Sequence, residues 1–99
     1  MIKYLEKNNL NDLIKEGIVL VDFYADWCGP CKMLGSVLET MDLNVVKVNT
    51  DQFNELAIKY GVMSIPTVFI YKDGVEVNKF IGFKSKEEIN QIIENIKMN

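Results

Sequence analysis

Residues 18–33 read IVLVDFYADWCGPCKM, and the reading of this stretch decides the fold. It opens as a nearly continuous apolar run, Ile18 to Tyr24, the pattern of a strand covered on both faces. After Gly29-Pro30 the period changes to that of a helix. Over residues 29–41, Met33, Leu34, Val37, Leu38 and Met41 fall on one face. The only two cysteines of the chain, Cys28 and Cys31, sit at this strand-to-helix junction.

Working outward, Leu10, Leu13 and Ile14 predict a helix over Asn9 to Glu16, stopped by Gly17. Asn44 to Asn49 is a second strand. Phe53, Leu56, Ala57 and Tyr60 mark a short helix ended by Gly61. Thr67 to Tyr71 and Val75 to Ile81 flank Lys72-Asp73-Gly74, an Asp-Gly signal for an antiparallel hairpin. Ser85-Lys-Glu-Glu88 is a capping box, and it opens a last helix striped by Ile89, Ile92, Ile93 and Ile96. Ile2 to Leu5 adds an edge strand. Strands alternating with helices predict an α/β fold: a mixed sheet with a parallel portion and helices on both faces. With no repeat, linker or low-complexity tract, residues 1–99 read as a single domain.

A chain 48% hydrophobic and 25% charged builds one ordinary core. A net charge of −3 without a basic cluster argues against nucleic acid and against anionic membrane as partners. Histidine is absent, which removes the commonest general base and metal ligand together. The beginning, MIKYLEKNNLNDL, lacks the apolar centre of a signal peptide, and no run approaches membrane-spanning length. The expectation is therefore a cytoplasmic protein. A permanent disulfide is out of place there, so the two thiols are expected to cycle between states or to bind metal.

Zinc needs about four ligands, and one Cys-x-x-Cys supplies two, leaving only a metal bridged between two copies of the chain. A structural staple between residues this close closes almost no loop and stabilises little. The redox reading has positive support. Cys28 lies where strand becomes helix, near the first-turn N–H groups and the positive end of the helix dipole, which favour thiolate over thiol. Cys31, one turn on, faces inward and is near enough to resolve a mixed disulfide. Pro30 fits an early helical position, where its missing N–H costs nothing.

At these residues the sequence resembles the thioredoxin family. WCGPC is that family's active-site motif, and a Cys-x-x-Cys beside a strand–helix–strand pattern is itself a thioredoxin-like signature. The likeness continues through VDFYADWCGPCKM, KVNTDQ, KYGVMSIPT, the KDG hairpin and Gly82. It implies the thioredoxin fold, a central mixed sheet of four or five strands flanked by helices. It further implies a dithiol–disulfide electron carrier that reduces protein disulfides, with Cys28 as nucleophile and Cys31 as resolving thiol. No cofactor is expected to be bound. A thioredoxin reductase, typically a flavoenzyme using NADPH, regenerates the dithiol. Ribonucleotide reductase, peroxiredoxin and methionine sulfoxide reductase are the clients the family suggests, and the chain is expected to be a monomer.

The resemblance also gives roles to surrounding residues. Asp22 lies within an apolar strand, flanked by Val21 and Phe23, where a carboxylate is expensive unless paired or protonated. It matches the buried aspartate that accepts the Cys31 proton through water, and Lys47 matches its accompanying lysine. The plain readings are an outward-facing aspartate and a solvated strand lysine. Ile65–Pro66 matches a cis bond whose ring faces the disulfide and keeps metal away, against the plain reading of a strand-initiating proline. Trp27, Gly29, Pro30, Met63, Ser64, Ile65, Pro66, Gly82 and Phe83 would form a shallow substrate groove. Trp27, beside the nucleophile, reads as a rim for substrate over the plain reading of a core aromatic, while Met63 and Phe83 could equally be ordinary core.

Three departures stand out. Gly35-Ser36 replaces the family's usual Ala-Pro, which bends the helix after the motif; a Gly-Ser pair also bends helices, less strongly. Val37 to Asn44 is several residues shorter than usual, and Tyr24 replaces the more frequent tryptophan. These touch the bend, stability and reductase docking of the helix, not the chemistry. Two other functions compete. A disulfide oxidase or isomerase of the same fold tends to carry histidine between its cysteines, and a glutaredoxin Pro-Tyr. A thioredoxin-fold binding subunit would carry its thiols incidentally, since fold alone does not fix function.

Overall fold

The computed structural model covers residues 1–99. In chain order the elements are β1 (Ile2–Tyr4), α1 (Leu10–Leu13), β2 (Ile18–Tyr24), α2 (Gly29–Glu39), β3 (Asn44–Asn49), α3 (Asn54–Lys59), β4 (Thr67–Lys72), β5 (Val75–Ile81) and α4 (Lys86–Lys97). They form one five-stranded sheet in the order β1-β3-β2-β4-β5. β1, β3 and β2 run parallel, β4 pairs antiparallel to β2, and β5 pairs antiparallel to β4. The expected mixed sheet with helices on both faces is the observed architecture.

The apolar run of β2 lies inside the sheet, and its alternate side chains serve two cores. Val19, Val21 and Phe23 pack with Leu10, Leu56, Ala57 and Phe69, on the side of α1 and α3. Leu20 faces the other way, with Leu34 and Leu38 of α2, Val68 and Ile70 of β4, and Ile89, Ile93 and Ile96 of α4. Burying each such side chain is worth about 1.5–3 kcal/mol. α2 is thus clamped to the sheet by the same stripe that predicted it, and that clamp fixes the cysteines at its beginning.

Boundaries differ from expectation in four places, the smallest at β4, which runs one residue past Tyr71 to Lys72. α1 spans Leu10–Leu13, not Asn9 to Glu16, because Asn9 makes no side-chain cap and the chain leaves the helix after Ile14. Gly17 adopts φ +70°, and its N–H and C=O pair with Asp73 of the distant hairpin instead of closing a helix. β1 ends at Tyr4; Leu5 turns into the core while its N–H still donates to the Lys47 carbonyl. α2 stops at Glu39, two residues early, where the Thr40 hydroxyl and N–H both reach the Val37 carbonyl. The hairpin turn has φ of +51° at Asp73 and +85° at Gly74, the paired positive values of a tight two-residue connection. Both capping-box bonds of α4 form, between Ser85 and Glu88.

Candidate active site

In an open α/β sheet, sites form beyond the carboxyl ends of the parallel strands. β2 delivers Cys28 there as the N-cap of α2, with extended φ of −93°. Its Sγ accepts the Cys31 N–H at 3.2 Å, so the sulfur occupies the position of a capping oxygen at the positive end of the helix. Gly29 and Pro30 fill the first two helical positions, where Pro needs no partner. Cys28 and Cys31 are joined in a disulfide with Cα atoms 5.2 Å apart, an ordinary span for that bond. Cys28 is 6% exposed and Cys31 2%. The order of access is the expected one, but Cys28 is less open than an exposed nucleophile suggests. Ala25 packs with the pair, and Ile65 closes against it.

Register brings other candidate residues to the same end. Phe23 of β2 pairs with Thr67, and Thr67 pairs with Ile81 of β5. The segments just outside those pairs, Ser64-Ile65-Pro66 and Gly82-Phe83, therefore flank the disulfide. The Ile65–Pro66 bond is cis, and the Ile65 carbonyl lies 3.8 Å from Cys28 Sγ. Ile65 N–H and C=O enter no backbone hydrogen bond. Gly82, at φ +86°, donates its N–H to the Pro66 carbonyl at 2.8 Å. Ser64, Gly29 and Pro30 are exposed and Pro66 is buried. Trp27 is not core: it is 71% exposed, and its indole N–H donates to Asp51 Oδ2 at 3.0 Å. Met63 and Phe83 are likewise surface residues.

Behind Cys31, β1, β3 and β2 place Tyr4, Lys47 and Asp22 side by side in one cross-strand row. Asp22 is fully buried, and neither of its oxygens has a hydrogen-bond partner within the chain. Lys47 Nζ stands 3.7 Å from Asp22 Oδ2, an ion pair slightly beyond hydrogen-bond reach. Burial pushes the Asp22 carboxyl up from 3.8 to about 6, with Lys47 pulling in the opposite direction. Lys47 is itself buried, and its ammonium sits 4.5 Å from the centre of the Tyr24 ring and 5.7 Å from that of Tyr4. The readings of an outward aspartate and a solvated lysine both give way. A cleft of about 250 Å³ joins Cys31, Gly35 and Lys47, with Tyr4, Tyr24, Asp26 and Ser36 among its walls.

No group of three or more His, Cys, Asp or Glu is placed to hold a metal ion, and no helix is long and apolar enough to cross a membrane. Residues 1–95 match the family model described as Thioredoxin. The chain belongs to the thioredoxin family. Thioredoxin from Chlamydia caviae is 45% identical, across 94% of this chain and 96% of its own. Thioredoxin from Bacillus subtilis is 50% identical, across 79% and 81% respectively. Among solved structures, an asparagine-to-glutamine mutant thioredoxin from Halobacterium salinarum NRC-1 superposes with a TM-score of 0.86 at 37% identity, covering 95% of this chain and 88% of that one.

As a thioredoxin the chain is a thiol–disulfide oxidoreductase, reducing protein disulfides through its Cys28–Cys31 pair with no bound cofactor. Its partners are thioredoxin reductase and disulfide-containing substrates. Asp51 and Tyr4 were not singled out by the sequence. Only the register of β1 on β3, and a hydrogen bond spanning 24 residues, bring them to the site.

Proposed function

We propose that Cys28 is the attacking thiol, Cys31 the resolving thiol, and Asp22 the acceptor of the Cys31 proton. The Cys28 thiolate attacks one sulfur of a substrate disulfide. That S–S bond breaks, a Cys28–substrate disulfide forms, and the first substrate sulfur leaves as thiolate. Cys31 passes its proton to Asp22, with water in the cleft as carrier, and attacks Cys28 Sγ. The Cys28–Cys31 disulfide forms and the second substrate sulfur departs. Two electrons have moved from this chain to the substrate.

The observation that carries this reading is the Cys28 sulfur capping α2 through the Cys31 N–H at 3.2 Å. The same N–H would stabilise a Cys28 thiolate after reduction, whereas Cys31 has no such position. A carboxyl near pH 6 is suited to take up and release a proton around neutrality, and Lys47 sets how readily it does so.

Trp27, Gly29, Pro30, Met63, Ser64, Ile65, Pro66, Gly82 and Phe83 form the substrate groove in this reading. The unpaired Ile65 backbone groups receive an extended client segment in the manner of an added strand. Exposed Trp27, Met63 and Phe83 supply its apolar contacts. The chain acts as a single-domain monomer in the cytoplasm, with ribonucleotide reductase, peroxiredoxin and methionine sulfoxide reductase among its clients. Trapping tests the assignment: Cys31→Ser should accumulate a covalent complex with a disulfide protein such as insulin, and Cys28→Ser should not. Accumulation in the Cys28→Ser variant instead would reverse the two roles.

A further inference from the structure

Gly35 lies buried in the interior of α2, where glycine weakens a helix relative to alanine. Its backbone does not require glycine, since its φ lies outside the left-handed region that several other glycines of this chain occupy. Space explains it better. A Cβ at Gly35 would meet one atom within 4 Å, Lys47 Nζ, at 3.2 Å. The same ammonium is flanked by the Tyr24 ring at 4.5 Å and the Tyr4 ring at 5.7 Å, and the two rings meet edge to face. We propose that Gly35, with Tyr24 and Tyr4, forms a positioning site: the missing side chain leaves the room in which the two rings seat the Lys47 ammonium beside Asp22, and so sets the strength of the ion pair behind Cys31. This rests on the proton-acceptor role given to Asp22 above.

Asp22, the two rings and the α2 backbone border the ammonium. The cleft lies beside it. The charged and titratable groups facing it there are Tyr4 from β1, Tyr24 from β2, Asp26 after β2, and Lys32 and Glu39 from α2; Cys31 lines the cleft as half of the disulfide. A methyl group at Gly35 takes up the room the ammonium uses, and the empty volume beside it is the cleft, so the ammonium is displaced into the cleft and away from Asp22. Removing a ring lets it move the same way, since the cation's attraction to the ring face is lost. Both changes weaken the Coulomb attraction that favours the ionised carboxylate.

The test is a carboxyl-carbon NMR titration of Asp22 in the oxidised protein, for the natural sequence, Gly35→Ala, Tyr24→Leu and Lys47→Met, and for the first two combined with Lys47→Met. Gly35→Ala favours the helix, so its fold is secure even where Tyr24→Leu loosens packing. An ammonium displaced by about half an ångström raises the Asp22 midpoint by roughly 0.4 pH unit in Gly35→Ala. Lys47→Met raises it further, and in that background Gly35→Ala changes nothing more. An unmoved midpoint in Gly35→Ala, or the same rise with Lys47 absent, overturns the positioning role. The pH profile of insulin reduction, recorded for the same variants, separates the two claims. Midpoint and profile moving together support both. A midpoint that moves under an unchanged profile leaves the positioning intact and overturns the Asp22 role.

Discussion

Replacing Asp22 by Asn tests the buried carboxyl through stability alone. Burial holds the folded-state value at about 6, above the ordinary 3.8, so the folded chain binds this proton more tightly than the unfolded chain does. The sign follows directly. The contribution is fully present well below 3.8 and is lost as pH rises through 6, after which it stays lost. At ~1.4 kcal/mol per pH unit, the ionised Asp22 costs about 3 kcal/mol at pH 7. Asn cannot ionise, so Asp22→Asn escapes that loss. A pH-independent offset accompanies it, because Lys47 is left buried without its partner. The change of the difference with pH does not contain that offset. Urea unfolding of the oxidised protein at pH 4, 5, 6, 7 and 8 should show the variant gaining about 2–2.5 kcal/mol on the parent between pH 4 and 7, since part of the loss has already occurred at pH 4. That corresponds to roughly 0.7–2.5 M in midpoint. Parallel curves, with a difference constant across that range, would refute the reasoning.

Three further outcomes follow from particular contacts. Trp27→Ala removes an exposed ring held only by Asp51; it should raise KM for a protein disulfide by roughly 3–10-fold, leave kcat for a small disulfide unchanged, and lower stability by about 1 kcal/mol or less. Steady-state kinetics on both substrates check it. Leu38→Ala empties a fully buried position between α2 and the sheet and should cost about 2–5 kcal/mol in denaturant unfolding. Ser85→Ala breaks the capping box of α4, far from the disulfide in the chain, and should cost about 1 kcal/mol with turnover intact.

What the sequence made legible was local. The nearly continuous apolar run of β2, the Asp73-Gly74 turn and the Ser85–Glu88 capping box each carry a physical signature within a few residues, and each forms as read. The cysteine pair at a strand-to-helix junction was legible for the same reason. What escaped depends on register and on partners far along the chain. Lys47 reads as a solvated strand lysine until the pairing of β1, β3 and β2 sets it between Tyr4 and Asp22. Trp27 keeps a plain core reading beside the rim one until Asp51 is seen to hold its indole outward. Cys28 is less open than its motif suggests because Ile65, from a segment 37 residues on, closes against it. The end of α1 was misjudged because Gly17 marks a turn tied to Asp73, and that tie is invisible without the hairpin in place.

The central claim is that Cys28 and Cys31 form a dithiol that gives electrons to protein disulfides. Its most direct test is the equilibrium reduction potential of the pair, read from Trp27 fluorescence in graded thiol–disulfide buffers. The couple should be strongly reducing, at or below the poise of the cytosolic glutathione pool. A couple distinctly more oxidising than that pool would contradict it and make the chain an acceptor of electrons from protein thiols.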